Sequence, residues 1–182
     1  VKDNENNMHN KHMTDDEITG LILDVVAGGV ETTPSAICYI IYYIEHHPEV
    51  KQRMLNELDQ TFGPDSDYKI ELDDINQLKY CEAVIKEVIN SHPAHWTNPH
   101  EFKPERFLQT VSDSSSIDSR KSNQYFQAFG GGLKICPGKN FAMMQMKTYM
   151  VLLYRRWTVE LIDMSAPIKS HYATTKSCQQ LE

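Results

Sequence analysis

Two short stretches hold residue types whose spacing can do chemistry. The first is 129–138, Phe-Gly-Gly-Gly-Leu-Lys-Ile-Cys-Pro-Gly. It sets one cysteine, Cys136, after a run of glycines and just ahead of a helix expected from about 139 to 156. Backbone N–H groups and the positive end of that helix favour a thiolate, an effect of about 0.3–1 kcal/mol. Glycines let the backbone lie close to a large flat ligand. A buried structural cysteine beside a turn is the plain alternative. The second stretch is Gly28-Gly29-Val30-Glu31-Thr32-Thr33-Pro34. Thr32 falls one helical turn after Gly28, on the edge of an apolar stripe, so its hydroxyl can line the gap left by that glycine. Pro34 removes the N–H that would bond the Val30 carbonyl, which predicts a local distortion. A polar notch in an apolar helix suits a small-molecule site. The alternative is a threonine bonded back to its own helix, with Glu31 on a solvated face beside Asp24.

The elements that position these stretches follow from periodicity. Residues 1–13 form a polar tail, and Thr14-Asp15-Asp16-Glu17 reads as a capping box. Ile18, Leu21, Ile22, Val25 and Val26 keep the helical period, and Ile37, Ile40, Ile41 and Ile44 resume it in phase. The spacing predicts one helix from Thr14 to about His46, apolar on nearly every face, as in the centre of a large protein. A second helix starts at Pro48 with the stripe Val50, Met54, Leu58 and Phe62, and Gly63-Pro64 ends it. A short turn near 73–78 precedes an amphipathic helix over about 79–90, with Cys81, Val84, Ile85 and Val88 inward. Residues 91–107 read as a packed irregular loop, and 111–124 as a solvated insertion. After the helix at 139–156, Trp157, Val159 and Leu161 alternate with Thr158 and Glu160 as in a strand. Further short strands are expected after Pro167. The fold class is mainly α with a small β component.

Composition narrows the function classes. The chain has 182 residues and a formal net charge of −7, against a dedicated nucleic-acid binder. Its cysteines, Cys38, Cys81, Cys136 and Cys178, make no C-x-x-C pair, so neither a disulfide scaffold nor a zinc ribbon is expected. The longest apolar run, Ile37 to Ile44, is far short of the roughly 20 residues a bilayer needs, so no membrane segment is expected. Met143, Met144, Met146 and Met150 read as core fillers. His9 and His12 read as an incidental pair, and His46 and His47 as a helix end. From Ser119 to Thr158 there are seven bases and no acid. This basic stretch suits either an acidic partner or an ordinary solvated helix face.

The pattern F-x-x-G-x-(basic)-x-C-x-G, filled by Phe129, Gly132, Lys134, Cys136 and Gly138, resembles the haem-binding signature of the cytochrome P450 monooxygenases. Gly28 to Thr33 is similar to that family's oxygen-activation motif, (A/G)-G-x-(D/E)-T-(T/S). Tyr80 to Val88 is similar to its K-helix, and Pro104-Glu-Arg-Phe107 to its P-E-R-F element. The resemblance implies the C-terminal part of the P450 fold, with 14–182 a partial haem domain. Its long I-like helix would contain Thr32, and its L-like helix would follow the cysteine loop. Glu87 and Arg106 would form a structural ion pair, whereas the family's third partner, an Arg three residues after Glu87, is Asn90 here. A family segment between the K-helix and the loop near Ala94-His95-Trp96 is lacking, and so are the helices that precede the first one.

The resemblance further implies haem (iron protoporphyrin) as cofactor, with Cys136 the proximal thiolate ligand of the iron. Phe129, Gly132, Lys134 and Gly138 would hold the cofactor on the cysteine side, and Gly28 and Gly29 on the helix side. Thr32 and Glu31 would be catalytic, delivering protons. Lys134, where the family usually has Arg, would pair a propionate more loosely. The implied reaction inserts one oxygen atom from O2 into a small, lipophilic organic substrate, with electrons from a reductase. Many family members are anchored to the endoplasmic reticulum by an N-terminal helix absent here, so no localisation is assigned. Two other readings stay open. One is a reductase-independent haem-thiolate isomerase; the other is a truncated, haem-free helical protein without catalysis.

Overall fold

A computed structural model describes residues 12–63, 69–90, 98, 100–108, 126–172 and 176–180, the last strands (170–180) as backbone only. The expectations placed on the tail up to residue 11, on 91–97 and on the insertion at 111–124 lie outside the described residues. Among these residues there are five α-helices: α1 (Asp15–His46), α2 (Pro48–Phe62), α3 (Leu72–Gln77), α4 (Lys79–Ile89) and α5 (Lys139–Arg156). Short 3₁₀ turns lie at Pro104–Phe107 and Gly132–Lys134. Strands β1 (Lys169–Tyr172) and β2 (Lys176–Gln180) pair antiparallel, with Tyr172 opposite Lys176.

Local signals account for the helix ends. Thr14 caps α1 by accepting from the Glu17 N–H, while the Glu17 carboxylate accepts from the Thr14 N–H at 2.7 Å. Those bonds hold the Glu17 carboxyl below its usual value. Gly63, at φ +68°, closes α2 through its N–H to the Asp59 carbonyl. A cap that is not local serves α4. The Glu57 carboxylate, reaching from α2, accepts from the backbone N–H groups of Tyr80 and Cys81 at 2.6 and 2.8 Å. It satisfies two of the four donors that a helix start leaves open.

The core lies where the C-terminal third of α1 meets α2, α4 and α5. Ile40 and Ile44 from α1 pack with Val50, Met54, Leu58 and Phe62, the stripe expected on α2. Cys81, Val84 and Ile85 fill one side, and Met146, Met150 and Val151 the other; Met143 and Met144 flank this cluster. Burial around Cys81, next to the Glu57 carboxylate, pushes its thiol well above the usual value. Glu45 is buried between two partners, the Lys51 ammonium at 2.6 Å and the Tyr154 hydroxyl at 3.0 Å.

One expectation needs correction. Residues 157–161 are not a strand: no described strand lies beside them, and a lone strand has no ladder to pair with. Helix α1 continues unbroken through Pro34. Its apolar surface is not buried along its length: every residue from 12 to 32 is exposed, and burial begins at Thr33. By length and composition α1 could cross a membrane, which the apolar-run criterion passed over because charges interrupt the runs. The core helix of a soluble protein can have the same composition.

Candidate functional site

The cysteine loop takes the shape its glycines permit. Gly130 and Gly132 adopt φ values of +73° and +62°, open to glycine at little cost. The loop folds back so that the Cys136 N–H donates to the Phe129 carbonyl at 2.8 Å. The Lys139 N–H in turn donates to the Cys136 carbonyl, which sets Cys136 directly ahead of α5. Cys136 is a free, exposed thiol, and a Cβ at Gly138 would stand 3.8 Å from its sulfur. A single unshared sulfur donor on an open glycine loop suits one axial bond to a flat metal cofactor, so these residues fit a haem iron. Lys134 is exposed on the same loop. Phe129 is half-buried and meets the Phe126 ring edge-on at 6.0 Å.

On α1, the Thr32 hydroxyl donates to the Gly28 carbonyl at 2.7 Å, the back-bonded geometry that the sequence left open. Glu31 is exposed, with no ion-pair partner among the described residues. A Cβ at Gly28 or Gly29 would meet nothing within 4 Å, so that face of the helix is open. No hydrogen bond or ion pair links Thr32 or Glu31 to the Cys136 loop among the described residues.

The expected ion pair does come together. Arg106 Nε lies 2.9 Å from Glu87 Oε2, with the two side chains 7% and 10% exposed. The second Glu87 oxygen accepts from the Lys103 N–H, and Arg106 also donates to the carbonyls of Lys103 and Glu101. The Lys103 N–H thus takes a carboxylate oxygen that a second Arg could have met, and the two carbonyls take up remaining Arg106 donors. Burial nonetheless raises the Glu87 carboxyl above its usual value, against the pull of the Lys103 N–H and Arg106. Asn90 is 8% exposed. Its carbonyl oxygen accepts from the Gln127 N–H at 3.3 Å, tying α4 to the segment that enters the cysteine loop. Its Nδ2 has no hydrogen-bond partner among the described residues.

Sequence reasoning missed the Glu57 cap and the burial of Lys147, a residue it allowed to be an ordinary solvated lysine. Lys147 is only 5% exposed, with its ammonium 3.5 Å from Glu82. The available signal was its spacing, one turn from Met143 and Met150 on the buried face of α5.

The cytochrome P450 family profile matches residues 1–94 and 88–177, and the chain belongs to the cytochrome P450 family, a family of haem-iron proteins. The two matched stretches meet at 88–94, where the sequence places the missing family segment. Steroid 17-alpha-hydroxylase/17,20 lyase of Ictalurus punctatus is 26% identical over 187 residues, covering 82% of this chain and 35% of that protein. That alignment is longer than the part of this chain within it, so the relative carries residues this chain lacks there. Cytochrome P450 71B23 of Arabidopsis thaliana is 30% identical over 164 residues, covering 69% of this chain and 32% of the relative. The chain thus spans about a third of the length of the curated relatives it matches. A cytochrome P450 crystal structure superposes with a TM-score of 0.81 at 20% identity, covering 96% of this chain and 46% of the other. The haem domain of a cytochrome P450DA mutant gives 0.82 at 19%, covering 94% and 44%. The mainly helical P450 fold expected from the motifs is the fold observed.

Proposed function

We propose that this chain is the C-terminal, cysteine-bearing part of a haem-thiolate monooxygenase. The observation that carries this reading is the Cys136 loop, which presents a free and exposed sulfur directly ahead of α5 and is closed by the bond from the Cys136 N–H to the Phe129 carbonyl. When bound, the haem supplies oxygen activation, aided by electron donation from a thiolate ligand.

Cys136 would supply that thiolate, and the bond from its N–H to the Phe129 carbonyl fixes the loop backbone that carries it. Phe129, Gly132 and Gly138 leave room beside it, and Lys134 offers an exposed ammonium for a propionate. On α1, Gly28 and Gly29 provide an open face. Thr32 holds a proton on Oγ1, directed to the Gly28 carbonyl; breaking that bond frees the hydroxyl to donate into the notch. Glu31, exposed beside it, can exchange protons with solvent. Leu21 and Val25, exposed on the Gly28 side of α1 within two turns of the notch, favour a small lipophilic substrate over a polar one. The excess of bases from Ser119 to Thr158, apart from the buried Lys147, favours an acidic reductase as electron donor.

The decisive measurement is the visible spectrum of the reduced protein under carbon monoxide after haem reconstitution. A thiolate-type Soret band is expected, absent in Cys136→Ser and retained in Cys38→Ser, Cys81→Ser and Cys178→Ser. Loss of the band in one of those three instead would move the ligand elsewhere. One observation favours a second reading, a helical protein that takes up no haem. The notch on α1 lies within a stretch exposed at every residue from 12 to 32. A spectrum at saturating haem no different from that of free haem would select that reading.

A further inference from the structure

A half-enclosed cavity of about 420 Å³ opens between α3, α4 and the first two turns of α5. Three lysines line it, Lys86 from α4 and Lys139 and Lys147 from α5, against one carboxylate, Glu82. That carboxylate is already shared. Lys86 Nζ lies 2.7 Å from one oxygen and Lys147 Nζ 3.5 Å from the other. The two ammonium groups outweigh burial and hold the Glu82 carboxyl below its usual value.

The buried Lys147 therefore has one long contact where a charge-assisted bond would measure about 2.7–2.9 Å. Lys139 has no carboxylate in salt-bridge reach among the described residues. Its ammonium, like that of Lys86, lies instead near the Phe126 ring, at 5.7 and 5.8 Å from the centroid. Among the described residues the cavity wall thus carries an excess of two positive charges, one on a side chain almost wholly withdrawn from water. A buried ammonium whose single ionic contact is long and shared with a second lysine is incompletely compensated, so the site is short of negative charge. The amides of Asn76 and Asn140 on the same wall add hydrogen-bond donors.

We infer that this cavity binds the dianionic phosphate of a small phosphate monoester between Lys86, Lys139 and Lys147. The volume exceeds what a bare phosphate fills, and Phe126 provides a flat apolar wall for the attached group. Neither Cys136 nor Thr32 lines this cavity, so the site does not rest on the proposed haem ligand.

The test uses the full 182-residue chain labelled with 15N. The side-chain amide signals of Asn76 and Asn140 are followed while inorganic phosphate, then phenyl phosphate, replaces chloride at constant ionic strength. Saturable shifts are expected, with phenyl phosphate the tighter ligand. Lys139→Gln, at the cavity rim where folding does not depend on it, should weaken binding about tenfold or more, as for a lost charged hydrogen bond. Lys86→Gln should do the same, and the exposed Lys69→Gln should change nothing. Non-saturating shifts, or equal affinity in Lys139→Gln and wild type, would overturn the site. So would binding of a hexaglutamate peptide without binding of either phosphate. Phosphatidic-acid vesicles added to the phenyl phosphate complex distinguish the source of the phosphate. Displacement of the small ester assigns a lipid headgroup, and retention assigns a soluble metabolite; each requires the site.

Discussion

The two ends of α1 differ although one helix contains both. From Asp15 to Thr32 every residue is exposed, including Ile22, Val26 and Val30, the last 68% exposed. From Thr33 to His46 the same periodicity delivers Ile40 and Ile44 into a closed core. The sequence pattern is equally apolar at both ends, so patterning alone does not bury a residue. Burial needs facing surfaces, and α2, α4 and α5 supply them only beyond Thr33. The residues read as chemical follow the same divide. Gly28, Glu31 and Thr32 stand on the bare end, and Cys136 and Lys134 stand on an exposed loop. The Glu87–Arg106 pair lies on the packed side.

The largest effect should come from the packed side. Arg106→Ala leaves the Glu87 carboxylate buried without its ionic partner, and should cost roughly 3–5 kcal/mol in urea unfolding. A loss below about 1 kcal/mol would mean that the backbone donors alone hold Glu87. The comparison itself is tested most directly by truncating one apolar residue at each end of α1. Ile44→Ala should cost roughly 2–5 kcal/mol, and Ile22→Ala no more than about 0.5 kcal/mol. Equal losses would show that the N-terminal end is covered in solution.

The smallest effect concerns Glu82, whose carboxyl is held below its usual value. The unfolded chain then binds this proton more readily than the folded one. The stabilisation is complete above the ordinary carboxylate value and fades as pH falls through the depressed one. The difference in urea midpoint between wild type and Glu82→Gln should therefore be present at neutral pH and shrink in acid. A difference that grew in acid would contradict the ion pairs to Lys86 and Lys147.

Much of this was legible from local chemistry. The Thr14 capping box, the Pro48 start, the Gly63 stop and the α2 stripe each depend on residues within a turn or two, and each formed as read. The cysteine loop was legible because its glycines, its single sulfur and the following helix are consecutive in the chain. The residues 157–161 show the limit of that method: alternation matched a strand, but a strand also requires a neighbour.

The sequence by itself determined where helices begin and end, which face of α2 is apolar, and that Cys136 precedes a helix. It also placed Glu87 and Arg106 as partners through their motifs. Only the tertiary structure decided where along α1 burial begins, that Glu57 caps a helix distant from it in the chain, and that Lys147 is buried beside a shared carboxylate. The physical reason is range. Capping and periodicity act within a few residues, whereas burial and charge pairing depend on which distant surfaces meet.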